Sequence, residues 1–139
     1  MADMDITSLC LDTNLLIDFL KGREPSASAV EKAVKEVVCS ITAITTYELL
    51  FGKARGNKDI GEDALLTMLT VLPLTDASAK RAALLHDTLI RQNQDIGLRD
   101  VLIAAICLEH HVPLLTSNEK HFSRVPDLQM ITVEQFLVT

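Results

Sequence analysis

Four places in this chain put oxygen-bearing side chains against apolar stretches: Asp12, Glu48, Asp100 and the run Thr116-Ser117-Asn118-Glu119. Side chains that offer only oxygen select hard divalent cations, Mg²⁺ or Mn²⁺, over zinc or copper. Three carboxylates drawn together repel one another without a cation, so gathering them makes physical sense chiefly at a metal site. A hard cation held there lowers the pKa of a bound water and offsets nearby negative charge.

Each position also has an ordinary structural reading. Asp12 closes the apolar run Ser8-Leu9-Cys10-Leu11 and would serve as a turn former or helix N-cap. Glu48 shares a helical stripe with Ile44, Tyr47 and Phe51, where an ionised carboxylate needs compensation. Lys53 and Arg55 are the ion-pairing alternatives to a metal there. Asp100 opens an apolar helix, and an acid in a first turn is favoured by capping and the helix dipole. Ser117 and Asn118 are common turn residues.

The elements that would position these groups alternate strand and helix. Strands are expected at Ser8 to Leu11, Val37 to Ile41, Val112 to Thr116 and Leu128 to Thr132, with a short one beginning at Pro73-Leu74. Helices are expected from Leu15 to Lys21, Ser26 to Glu36, Thr42 to Arg55, Asp59 to Val71, Asp76 to Gln92, Arg99 to His110 and Val133 to Leu137. Arg99 to His110 is apolar almost all round and should be buried. This alternation is that of an α/β fold, a short parallel sheet with helices on both faces. Ligands of such sheets bind beyond the carboxyl ends of the strands, where Asp12 and the Thr116 turn fall.

The 139 residues suit a single domain spanning 1–139, and 48% hydrophobic content supplies a core without a disulfide or metal staple. The longest apolar run, Val101 to Leu108, is far below the roughly 20 residues of a membrane span. Asp3 and Asp5 stand where a signal peptide would carry Lys or Arg, so a cytoplasmic protein with no membrane partner is expected. Cys10, Cys39 and Cys107 form an odd set in apolar stretches and read as reduced core residues. A net charge of −6 argues against holding nucleic acid by a general positive field, but not against an acidic metal site. His86, His110, His111 and His121 show no zinc pattern with the cysteines. The common glycine-rich nucleotide and hydrolase signatures are absent.

Three segments, LDTNLLIDFLKG, TTYELLFGKARG and RDVLIAAICLEHHVPLLTSNEKHF, together resemble the PIN-domain nucleases, specifically the VapC-type toxins of prokaryotic toxin–antitoxin pairs. The resemblance runs from Leu11 to about Val125 and keeps the order and spacing of the motifs. It implies an endoribonuclease dependent on Mg²⁺ or Mn²⁺ that cuts RNA phosphodiesters. It places the family's first acid on Asp12, its helix acid on Glu48 and its third on Asp100, as metal-holding and catalytic residues. The fourth position, often Asp, falls on Asn118, followed by Glu119; a neutral ligand there weakens a second metal site. Thr13, Asn14 and Thr116 match the family's polar companions and would orient ligands or water. The resemblance further implies a small antitoxin protein covering the acidic groove, and a homodimer. Lys53, Arg55 and Lys120 are open candidates for contact with the RNA backbone.

Two other readings compete. A catalytically silent PIN-like module that only binds proteins is favoured by Asn118 and opposed by the intact trio of acids. An aspartyl-phosphate enzyme with Asp12 as nucleophile wants D-x-D, and here the second acid is Asn14.

Overall fold

A computed structural model of the chain describes residues 6–139; Asp3 and Asp5 lie outside the described residues. The backbone forms β1 (Ser8–Leu11), α1 (Thr13–Leu20), α2 (Ser26–Glu36), β2 (Val38–Thr42), α3 (Ala43–Gly56), α4 (Glu62–Leu66) and β3 (Thr70–Leu72). Then follow α5 (Asp76–Arg91), α6 (Leu98–His110), β4 (Leu114–Thr116), α7 (Glu119–Phe122), β5 (Met130–Thr132) and α8 (Val133–Leu137). The five strands form one parallel sheet in the order β3-β2-β1-β4-β5.

Alternation along β1 divides the interior in two. Leu9 and Leu11 enter a core with Leu15, Leu16, Ala29, Val30 and Phe136, from α1, α2 and α8. Cys10 enters the opposite core, with Ala82 and Leu89 of α5 and Val101, Ile103 and Ala104 of α6. Period-two side chains on a strand covered by helices on both faces give this arrangement. β1 lies at the middle of the sheet, so the chain builds outward to β2 on one side and to β4 on the other. Such a switch of direction opens a crevice at the carboxyl ends of the two strands, between β1 and β4.

Helix α6 is buried as its sequence predicts, from Val101 through Cys107 with Leu102 half-covered. All three cysteines are buried and free. Among the described residues no helix is long and apolar enough to cross a membrane.

Three elements depart from expectation. The helix expected over Asp59 to Val71 is only Glu62–Leu66, and its far end is β3, which arises before Pro73 rather than at it. An unbroken apolar pattern from Leu65 to Leu72 hides the change from helix to edge strand. Helix α1 begins at Thr13 rather than Leu15, because the Asp12 side chain caps it by accepting from Thr13 N at 2.8 Å. The turn after β4 winds into the short helix α7, capped by Asn118.

Candidate active site

Asp12 stands at the end of β1, in the crevice between β1 and β4. Its backbone N–H donates to Leu115 O at 3.1 Å, which locks it to the neighbouring strand. Its side chain is fully buried and accepts from Thr116 Oγ1 at 2.7 Å and Thr13 N at 2.8 Å. Burial holds the Asp12 carboxyl above its ordinary range; the Thr116 hydrogen bond and the Arg99 charge pull it down, and Asp100 adds to the rise.

Glu48 projects from α3, whose N-terminus is capped by Thr42 at the end of β2. The buried face of α3 carries Thr45 and Leu49, whereas Tyr47 and Phe51 are 62% and 51% exposed. The apolar stripe expected around Glu48 is therefore not buried. Tyr47 and Phe51 stack on each other at the surface, 5.5 Å between centroids. What fixes Glu48 is polar: Thr13 Oγ1 donates to its Oε1 at 2.7 Å and shares a hydrogen bond with Thr45 Oγ1 at 2.8 Å. Neither Lys53 nor Arg55 is its partner. Lys53 pairs with Asp63 and lies 3.8 Å from Asp59, while Arg55 is exposed.

Asp100 sits in the first turn of α6 and is 4% exposed. The turn before it is built by Asp95, whose Oδ1 accepts from Gly97 N at 2.9 Å. His121 Nδ1 lies 2.8 Å from Asp100 Oδ2, and Asn118 Nδ2 reaches the same oxygen at 3.5 Å. The Asn118 Oδ1 accepts from His121 N, capping α7. Asn118 thus gives Asp100 a donor, and its oxygen is turned toward the helix.

The three acids meet on Arg99. Its Nε donates to Glu48 Oε2, its Nη1 donates to Asp100 Oδ1, and its Nη2 lies 3.8 Å from Asp12 Oδ1. Burial opposes the Arg99 charge, but the Glu48 hydrogen bond and the charges of Glu48, Asp100 and Asp12 outweigh it and hold its pKa above the ordinary value. Among the described residues, no three acidic, histidine or cysteine side chains converge on a single metal position. The guanidinium lies between them.

The sequence-predicted trio is therefore gathered at one crevice, with Thr13 and Thr116 as direct hydrogen-bond partners. Asn14 and Glu119 are exposed and make no hydrogen bond to the trio. Sequence reasoning missed Arg99 and His121. The order R-D at the head of a buried helix was the available signal for the first. The second carries no signal in the sequence, where the histidines show only that a zinc pattern is absent.

A PIN domain model matches residues 9–128. The chain belongs to the PIN-domain family. Ribonuclease VapC of Rickettsia bellii is 31% identical over 134 residues, covering 90% of this chain and 96% of that protein. The crystal structure of VapBC2 from Rickettsia felis, bound to a promoter DNA fragment, superimposes with a TM-score of 0.79 at 24% identity, over 91% of this chain and 98% of the other. The structure of VapBC-1 from nontypeable Haemophilus influenzae gives a TM-score of 0.78 at 26% identity, over 92% and 99%. The likeness to ribonuclease VapC spans almost the whole of both chains.

Proposed function

We propose that this PIN domain is the toxin of a toxin–antitoxin pair, an endoribonuclease that hydrolyses RNA with Mg²⁺ or Mn²⁺ held by Asp12, Glu48 and Asp100. The observation that carries the reading is the gathering of three carboxylates, from the end of β1, the second turn of α3 and the first turn of α6, around the Arg99 guanidinium. Hard oxygen donors that need a cation fit a divalent metal. Its likeness to ribonuclease VapC supplies the substrate class.

A bound metal supplies a water of lowered pKa and neutralises charge at the phosphate. The chain's own residues do the positioning. Thr116 and the Thr13 N–H fix both oxygens of Asp12 and so orient that carboxylate in the crevice. Thr13 orients Glu48, and His121 with Asn118 orients Asp100.

Beside Glu48 opens a groove of about 400 Å³ floored by Ile17, Leu20, Leu49 and Ile60, with Lys21 and Lys58 at its edge. We assign it to the antitoxin, because an apolar groove against the acids lets one bound segment also block the substrate. Exposed Tyr47, Leu50 and Phe51 support a homodimer, and the buried free cysteines support residence in the reducing cytoplasm. The test is cleavage of single-stranded RNA by the purified chain with Mg²⁺ or Mn²⁺ against EDTA; undiminished cleavage in EDTA overturns the metal reading.

A further inference from the structure

The acid trio already holds a cation, and the cation belongs to the chain. Each guanidinium nitrogen of Arg99 faces a different acid: Nε meets Glu48, Nη1 meets Asp100, and Nη2 faces Asp12 at 3.8 Å. Such a three-way fork uses the oxygens that a divalent ion would need. Guanidinium and metal cannot both hold them, and two cations in one crevice would repel. The acids are anchored: the Asp12 and Asp100 side chains are 1% and 5% exposed, with hydrogen bonds from Thr116 and Thr13 on one and from Asn118 on the other. Arg99 is the member with a way out. Its side chain is 34% exposed and stands on the first turn of α6, at the mouth.

We propose that Arg99 is an exchangeable counter-cation, seated among the three acids in the metal-free chain and displaced to the mouth by a divalent ion, where it takes a phosphate of the RNA. The proposal rests on the metal-site reading above. The seated guanidinium relieves the mutual repulsion of the acids. It also lowers the apparent metal affinity, by the fraction of molecules in which the seat is free. Once displaced, the planar fork of an arginine matches a phosphate with two parallel hydrogen bonds. One residue thus couples arrival of the metal to capture of the substrate.

The experiment is a calorimetric titration of Mn²⁺ into metal-free wild type, Arg99→Gln and a control, Lys35→Gln, which alters only an exposed pair with Glu31. Arg99→Gln is expected to bind Mn²⁺ about tenfold tighter or more, and the control to match wild type. Equal or weaker binding by Arg99→Gln, with wild type binding normally, overturns the exchange. With metal saturating both proteins, a fluorescent phosphorothioate RNA is expected to bind Arg99→Gln about tenfold more weakly; equal binding overturns the phosphate contact. Should Arg99→Gln fail to fold, the wild-type protein provides the readout through the ¹⁵N resonance of Arg99 Nε–H. That proton is expected to be hydrogen-bonded without metal and to become fast-exchanging at saturating Mg²⁺. An unmoved Nε–H signal beside a shifted Asp12 amide overturns the exchange. Binding of metal to neither protein removes the metal site itself and the exchange with it, a pattern distinct from failure of the exchange alone.

Discussion

Thr116 Oγ1 donates to Asp12 Oδ2 at 2.7 Å, joining the ends of two adjacent parallel strands across 104 residues of sequence. This single hydrogen bond spans the crevice between β1 and β4, where the strand order reverses. It explains why a buried aspartate is tolerated there at all, since a buried carboxylate oxygen without a donor costs several kcal/mol.

Thr116→Val keeps the shape of the side chain and removes the donor. Stability is expected to fall by about 1–3 kcal/mol in urea denaturation, because the Asp12 oxygen loses its donor and the Asn118 N–H loses its acceptor. The Asp12 carboxyl, already raised by burial, loses its strongest downward influence. Cleavage at neutral pH should fall with it. A variant as stable and as active as wild type would detach Thr116 from the site.

Glu48→Gln should fold and lose metal-dependent cleavage by at least about 100-fold, beyond the usual range for an outer partner of a metal ligand. Thr13 can still donate to the amide oxygen, so circular dichroism should stay near wild type, while loss of the Arg99 ion pair lowers the melting temperature. Full activity would remove Glu48 from the site.

Asn118→Asp replaces a donor to Asp100 with a like charge. The metal-free protein should lose stability, and calorimetric affinity for Mn²⁺ should rise by about tenfold, as one added charge near the site would give. Unchanged affinity would show that position 118 lies outside the metal's reach.

The fold was legible where the sequence alternates cleanly. Strand β1 closes on an acid, and α6 is apolar from Val101 to Leu108. Strand β3 was not, because Leu69-Thr70-Val71-Leu72 continues the apolar spacing of Leu65 and Leu66 and reads as more helix. Glu48 was singled out through a stripe that the structure exposes; Thr13 and Arg99 are what hold it. Arg99 itself looks like a solvated residue in sequence, since its partner Glu48 lies 51 residues away. Spacing along one helix carries no information about an ion pair between two.

Burial pushes the Cys39 thiol up to about 11, and the hydrogen bond with Cys10 together with burial pushes Cys107 up as well. A thiolate is the reactive form, so native protein at pH 8 should resist iodoacetamide, while three thiols should label in denaturant. The sign for stability follows from the raised Cys39 value. Unfolded chain releases that proton near 9.0 and folded chain near about 11, so stability is full below 9.0 and declines as pH rises through that interval. Rapid labelling of a native cysteine at pH 8 would contradict the burial.

The most direct test of the central claim compares wild type with Asp12→Asn on mixed single-stranded RNA, each with Mg²⁺, with Mn²⁺ and with EDTA. Wild type is expected to cut with metal only, and Asp12→Asn not to cut in any condition while melting as a folded protein. Absence of cutting by folded wild type with either metal, or equal cutting by Asp12→Asn, would contradict a nuclease site built on Asp12, Glu48 and Asp100.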